Sequence, residues 1–541
     1  MESRLLRNPR RNRQLPKPAW SMTVEEPHMQ NDAPTIQQGT SPLIRLHPND
    51  SVAIARVSIS AQTDLGQGLI AQDRIPAGHK IALEAMPKGG HVLRYGEVIG
   101  STTQDILRGG HVHSHNLAIG SLEREYAYAT SQTPLTKPQC DREFMGYVRP
   151  NGDVGTRNYI GILTTVNCSA RVARAIARQF EKDPFSEHDP LAEYPNVDGV
   201  VALTHKTGCG MSAEGPLRIL RRVIEGYATH PNISHVIVIG LGCEVNQISG
   251  ILKGNEAVRR MTIQNSGGTR KTVESGIDFV KSVLDEANAI QRTPVPASAL
   301  KLALICGGSD GYSGISANPA LGKASDLIVQ QGGTVILSET PETWGAEHLL
   351  TRRATTRDVG EKLVERIQWW RDYADLHGVS LDANPSPGNK AGGLTTILEK
   401  SLGALAKGGG TRLAEVIEYA EKPTRAGLIF MDAPGYDPVQ VTGQIAGGAN
   451  LVAFTTGRGS VFGSKPAPTV KLATNTLMYQ HMLEDMDINC GTILDGIETI
   501  EQCGARIFET LLAVAGGERS KSEALDFGDD EFAPWTIGPV I

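Results

Sequence analysis

Short apolar runs closed by glycine-rich or polar turns dominate the chain, and their pattern changes along it. Between Leu43 and Leu122 the runs are brief and alternate with polar residues, as in DSVAIARVSI, HKIALEAM, HVLRYGEVIG and HVHSHNLAI. Alternation with period two marks half-buried strands, so residues 43–122 are expected to form a small all-β module. From Gly146 to Asn288 the alternation disappears and each apolar run leads into a helical pattern. YIGILTTVNC precedes ARVARAIARQFEK, VDGVVALTH precedes GPLRILRRVIEGYA, and HVIVIGLGC precedes NQISGILKGN. Such strands are buried on both faces, and their alternation with helices predicts a parallel sheet. The rhythm returns over 299–520, with LKLALICGG, GGTVILSE, RAGLIFMDAP and NLVAFTTGRG as strands. The expected fold class is α/β: a small N-terminal β module followed by a two-part α/β region with mostly parallel sheets.

Punctuation between these blocks sets the expected boundaries. Residues 1–42 begin Arg-rich and almost acid-free, carry prolines and lack an amphipathic apolar face. A disordered extension is expected there rather than a transit peptide. Residues 123–145 and 289–298 (AIQRTPVPAS) read as linkers, which makes 146–288 and 299–520 separate α/β domains, and 521–541 reads as an extended tail. A length of 541 residues exceeds what one core serves, and 40% hydrophobic with 21% charged residues describes an ordinary globular protein. A net charge of −6 argues against nucleic acid or an anionic membrane as partner. No run approaches the roughly 20 apolar residues that span a bilayer. Seven widely spaced cysteines do not form a secreted disulfide framework, so a cytoplasmic setting is expected.

Candidate chemistry falls on three groups. Cys168, Cys209, Cys243 and Cys306 each end a strand-like run. Ligands of open α/β sheets bind beyond the carboxyl ends of strands, and thiolate selects iron, zinc or an iron–sulfur cluster over magnesium. The competing reading is that cysteine packs well in buried strands. His111, His113 and His115 stand at i, i+2, i+4, which on a strand puts three imidazoles on one face as metal ligands or as a polar β edge. His79-Lys80 and Arg94-Tyr95, on neighbouring strands, add polar groups to that surface. The third group is the glycine-rich loops 306–319, 384–393 and 455–471. They carry Ser309, Asp310, Asn389, Lys390, Arg458 and Lys471. Glycine lets backbone N–H groups approach an anion, and the Arg458 fork suits a carboxylate. Glu339 and Glu342, ending another strand, are ligands, acid–base groups or salt-bridge partners. No GxGxxG opens a helix after the first strand and no GxxxxGK[ST] occurs, so no nucleotide cofactor is expected.

These motifs together resemble one family. GHKIAL, RYGEVIG and HVHSHN in the β module, then GDVGTRN, GCG, GLGCE, CGGSDGYSGISANP, NPSPGNKAGG, TTGRG and MDINCGT, follow the altronate/galactarate dehydratase family over about residues 43–520. HVHSHN, GAEHLL and NKAGG are similar to its altronate branch, while NVDGVV with GCG, SDLIVQQGGTVILSE and MDINCGTI are similar to its galactarate branch. The resemblance implies a β-clip module of the SAF type and loss of water from a polyhydroxy acid to give a 2-keto-3-deoxy acid. It also implies a divalent metal, iron first and manganese second, with a small sugar acid as partner. A homo-oligomer is compatible with it. On this reading Cys168, Cys209, Cys243 and Cys306, with His111 and His115, are the expected metal ligands. Arg458, Lys471, Lys390, Asn389, Ser309 and Asp310 are expected to bind substrate, with His205, Glu244 or His113 acting as base. The neighbouring reading is a carbon–sulfur lyase on a sulfonated hydroxy acid. More remote ones are a nucleotide-dependent oxidoreductase and a non-catalytic sugar-acid sensor.

Overall fold

Seven short strands make the N-terminal module: β1 (Leu43–Ile44), β2 (Val52–Ala55), β3 (Lys80–Ala82), β4 (His91–Arg94), β5 (Glu97–Thr102), β6 (His111–Val112) and β7 (Leu117–Ala118). They form two antiparallel sheets in the orders β1-β2-β3-β6 and β4-β5-β7. This computed structural model describes residues 41–120, 125–131, 140–182, 188–252 and 258–538, so nearly all of the extension expected over 1–42 lies outside them. The β4–β5 hairpin turns at Tyr95 and Gly96, both with positive φ (63° and 74°), the geometry of a two-residue turn that follows strand twist. The Tyr95 hydroxyl lies so close to Gly314 that a Cβ there would stand 2.3 Å from it, which explains a glycine in that loop.

The second domain contains β8 (Glu143–Val148), β9 (Val154–Gly155), β10 (Tyr159–Thr164), β11 (Gly199–Leu203), β12 (Ile233–Gly240), β13 (Arg259–Thr262) and β14 (Thr293–Pro296). Strands β11-β10-β12-β13 form a parallel sheet in that order. Helices α1 (Ala170–Ala177) and α3 (Thr269–Ala289) cover one face through Val172, Ile176, Val280 and Leu284, and α2 (Gly215–Ala228) covers the other through Leu220, Val223 and Ile224. Two local expectations change. The described part of NQISGILKGN, residues 246–252, forms a 3-10 turn over Ile248–Gly250, with Gly250 against the Arg221 guanidinium, where a Cβ would stand 2.6 Å away. The stretch 289–298 is not a free linker: β14 pairs antiparallel with β8 as an edge strand, where Pro294 and Pro296 lose no needed donor.

The third domain is one parallel sheet of β15 (Lys301–Cys306), β16 (Thr334–Leu337), β17 (Leu413–Ile417), β18 (Gly427–Met431), β19 (Leu451–Thr456), β20 (Thr469–Ala473) and β21 (Ile488–Asn489). The order is β17-β18-β16-β15-β19-β20-β21, with the long helix α4 (Ala317–Gln330) joining β15 to β16. Leu302, Leu304, Val335 and Phe430 fill one face, while Ile305, Ile336, Ile429 and Phe454 fill the other. Burial on both faces is why these strands read as unbroken apolar runs. The second face is shared with α2, and Gly226 meets the helix Asp437–Ala446 so closely that a Cβ would stand 2.3 Å from the Ala446 carbonyl. The final segment also packs: after a short helix at Lys521–Ala524, Phe532 meets Tyr227 edge-on at 4.8 Å between ring centres.

Candidate metal and substrate site

The β module is bolted to the third domain by a buried ionic group. The Glu399 carboxylate accepts both its 2.9 Å hydrogen bonds from Lys80 Nζ, pairs with Arg94, and takes two more from Thr395 N (2.8 Å) and Thr395 Oγ1 (2.6 Å). Lys80 also donates to the Gly393 carbonyl (2.7 Å) and Arg94 to the Gly311 carbonyl (2.6 Å). Burial alone would raise the Glu399 carboxyl, but Lys80 and Arg94 outweigh it and hold it at about 2. Around this group the glycine-rich loops meet the module backbone to backbone. A Cβ at Gly311 would stand 2.0 Å from the Gly78 carbonyl, and one at Gly393 would stand 2.3 Å from it. Much of the glycine in loops 306–319 and 384–393 therefore serves close docking.

Beside this junction three imidazoles converge. The ligand atoms of His79, His111 and His113 all lie within 4.8 Å of one another, and His79 Nδ1 is 3.0 Å from His111 Nε2. On its other side His79 Nε2 is 3.2 Å from the Ala391 carbonyl. A carbonyl requires a donor, so the proton belongs on Nε2 and the Nδ1 lone pair turns toward the cluster. A backbone carbonyl holding the far N–H is how metal-binding histidines are oriented. His113 Nδ1 is buried without a partner. Burial, then neighbouring cations and histidines, pushes His111 down to about 4; burial, then Lys80, takes His113 to about 3, so both are neutral and able to donate a lone pair. The chemistry of this donor set fits a divalent transition metal. His115 is outside the group: the strand ends at Val112, and a turn fixed by Asn116 accepting from His113 N (2.9 Å) leaves His115 exposed, its ring 5.4 Å from that of His111. The third imidazole of the group is that of His79, next to β3.

A second polar cluster lies at the carboxyl edge of the large sheet. Cys306 Sγ is 3.6 and 3.7 Å from the two oxygens of Glu339, which accepts from Lys407 Nζ (2.6 Å). Glu342 pairs with Lys400 (2.8 Å) and accepts from Asn384 Nδ2 (2.5 Å). Both glutamates are thus paired at buried salt bridges. Cys306 is buried, and burial followed by Glu339 pushes its thiol up to about 12. It belongs to the large sheet, whereas Cys168, Cys209 and Cys243 follow strands of the smaller one and are exposed, so the structure does not assemble the expected four-thiol set.

The remaining candidates separate in the same way. Loop 307–311 gathers several: Gly308 O accepts from Arg458 N (2.9 Å), Ser309 O from Asn389 Nδ2 (2.9 Å), and Gly311 N donates to Gly392 O (2.8 Å). Arg458 is exposed and Lys390 half-buried on these loops. Asp310 is a buried anchor, accepting from Ser313 Oγ (3.0 Å), Thr474 Oγ1 (2.9 Å) and Tyr312 N (3.1 Å). Lys471 is not in a loop: TVKLA forms β20, and Lys471 is buried opposite Phe454 in the face shared with the second domain, its Nζ without a partner. His205 has both ring nitrogens occupied, Nε2 by Thr164 O (2.8 Å) and Nδ1 by Thr207 N (3.3 Å), and burial lowers it to about 4. Glu244 is tied down by Thr165 Oγ1 (2.6 Å), Gly242 N (2.7 Å) and Leu241 N (3.2 Å). Neither is poised as a base.

Three consecutive profiles of one family match this architecture. They are the altronate/galactarate dehydratase SAF domain over 41–120, the D-galactarate dehydratase/altronate hydrolase second domain over 146–288, and the D-galactarate/altronate dehydratase C-terminal region over 297–540. Galactarate dehydratase (L-threo-forming) of Escherichia coli (strain K12) is 38% identical over 492 residues, 88% of this chain and 93% of the relative. Altronate dehydratase of Bacillus subtilis (strain 168) is 35% identical over 493 residues, 90% and 97% of the two chains. The beta subunit of (2R)-sulfolactate sulfo-lyase from Chromohalobacter salexigens is 33% identical over 396 residues, 72% of this chain and 96% of its own. Fold, site and relatives define a multi-domain carbon–oxygen lyase of the hydro-lyase type. The chain belongs to the altronate/galactarate dehydratase family.

Proposed function

We propose that this enzyme dehydrates an aldonate or aldarate of the altronate or galactarate type to a 2-keto-3-deoxy acid, at the junction between the β module and the third domain. The observation that carries the placement is the set of three imidazoles whose orientation is fixed from behind by the Ala391 carbonyl. His79, His111 and His113 would hold a divalent metal, iron first and manganese second. Such an ion supplies Lewis-acid stabilisation of the charge that develops when the proton α to a carboxylate is removed. Arg458, reaching from the loop anchored on Gly308, binds the substrate carboxylate, with the Lys390 ammonium adding a second positive charge. His115, on the open side of the cluster, takes the α proton. Buried Glu399 holds the module in register, so that the histidines meet the loops that carry Arg458 and Lys390. The free cysteines support a cytoplasmic, reducing setting.

Incubating the enzyme anaerobically with iron or manganese and a panel of aldonates and aldarates tests this reading. Keto-deoxy acid formed from at least one sugar acid, without added nucleotide, is the expected result. The sulfo-lyase relative favours one second reading, loss of sulfite from a sulfonated hydroxy acid. Sulfite release from sulfolactate with no turnover across the sugar-acid panel would replace the first reading by the second.

A further inference from the structure

The histidine site leaves Cys168, Cys209 and Cys243 without a task, yet these thiols are arranged in common. They follow β10, β11 and β12, adjacent strands in the order β11-β10-β12, so all three emerge at one carboxyl edge. That edge is where open parallel sheets bind ligands. Their loops are sewn together: Asn167 N donates to Thr207 O (3.0 Å), Val245 N to Cys209 O (3.2 Å), and Asn246 N to Gly208 O (3.1 Å). Asn246 Nδ2 closes the set by donating to Thr165 O (3.0 Å). The loops are closely apposed, since a Cβ on Gly208 (φ +101°) would stand 2.1 Å from the Thr165 carbonyl.

All three thiols are exposed, although unreacted cysteine is among the most buried residue types. Cys306, Cys490 and Cys503 follow that habit and are buried. Cys168 lies in the 3-10 turn Asn167–Ser169 that opens into α1, at the end of the helix dipole that favours negative charge. Gln264 Nε2 points at Cys243 Sγ from 3.6 Å. Among the described residues, the sets of three ligand atoms within 4.8 Å of one another are the histidine group and the Cys306 group, not these thiols. Thiolates around one tetrahedral ion with metal–sulfur bonds of about 2.3 Å would be about 3.8 Å apart. Thiolates that each bind a different iron of a polynuclear cluster stand wider.

We propose that Cys168, Cys209 and Cys243 are the three protein ligands of an iron–sulfur cluster of the [4Fe–4S] class. The fourth iron is left without a cysteine and open to water or a hydroxy-acid oxygen. The cluster is a second metal centre, in a different domain from the histidine site and independent of it. Its assembly combines two ferrous ions, two ferric ions and four sulfides into a core of charge +2 and releases the three thiol protons.

The test is anaerobic reconstitution of the full chain with ferrous iron, ferric iron and sulfide, followed by removal of unbound metal. Expected are four acid-labile sulfides per chain, with iron in excess of sulfide by the ion of the histidine site and equal to it in H79A, broad visible sulfide-to-iron absorption and a paramagnetic signal on reduction. Alkylation of the unaltered protein, mapped by mass spectrometry, should then spare Cys168, Cys209 and Cys243 while exposed Cys140 still reacts. C168S, C209S and C243S should each lose most of the labile sulfide, whereas H79A and C490S should retain it. Iron bound without sulfide overturns the proposal, as do thiols that stay reactive after reconstitution and a C168S/C209S/C243S triple variant with unchanged sulfide. Because none of these readouts is turnover, failure here is distinct from failure of the dehydratase reading.

Discussion

His79 shows how one residue organises the site. Its Nε2 is committed to the Ala391 carbonyl, so its Nδ1 has only the cluster to serve. H79A should therefore lower tightly bound manganese, which builds no iron–sulfur cluster, by at least tenfold while the thermal midpoint moves little, which metal analysis beside a melting curve will check. H115A should keep the metal but lose about 10²–10⁴ in kcat, the usual worth of a general base. The sequence made HVHSHN legible as a ligand strip because histidine at period two is conspicuous. It could not show that the strand stops at Val112, which removes His115, nor that β3 folds back beside it, which supplies His79. The thiols were legible as strand ends, but which of them share an edge depends on sheet membership, a long-range property.

At the scale of elements, the strands of the module and the loops of the third domain depend on each other. Lys80 and Arg94, on β3 and β4, meet Glu399 inside the helix Ile397–Leu405. E399A would leave two buried cations without their anion and should cost about 3–5 kcal/mol. Undocking of the module should appear in the same variant as early proteolysis after residue 120. G311A should act similarly, because the Gly78 carbonyl occupies the space its Cβ would need. Wild-type resistance to proteolysis in both variants would contradict this account of the junction. The parallel strands were legible because burial on both faces leaves continuous apolar runs. The edge strand β14 was not, since TPVP carries the prolines that otherwise announce a loop.

For the whole molecule, buried histidines make one contribution to the response to acid. Burial first, with local hydrogen bonds opposing it, takes His205 to about 4 and His230 to about 3, below the ordinary 6.5. The unfolded chain then binds more protons than the folded one, so this stability is whole above pH 6.5 and declines as pH falls toward 4 and 3. Glu399, held at about 2 against an ordinary 4.5, adds a further loss as pH falls from 4.5 toward 2. Burial, with Glu339 and Glu342, raises the Asp437 carboxyl to about 7, which opposes the histidines over the same range. The check is therefore a comparison that cancels it: the denaturant midpoint should fall less between pH 6.5 and 4 in H230Q than in the unaltered protein, and identical pH dependence in the two would contradict the burial of this ring. The domain order was legible from changes of period, but how domains meet was not, because the α2 contact and the Lys80–Arg94–Glu399 group join residues far apart in sequence. The central claim is that divalent metal binds where the β module meets the third domain. Anomalous diffraction at the iron edge, on crystals grown anaerobically with iron, tests it most directly. A peak about 2.0–2.2 Å from nitrogens of His79, His111 and His113 is predicted, and an iron-loaded, active enzyme with no peak among these three rings would contradict it.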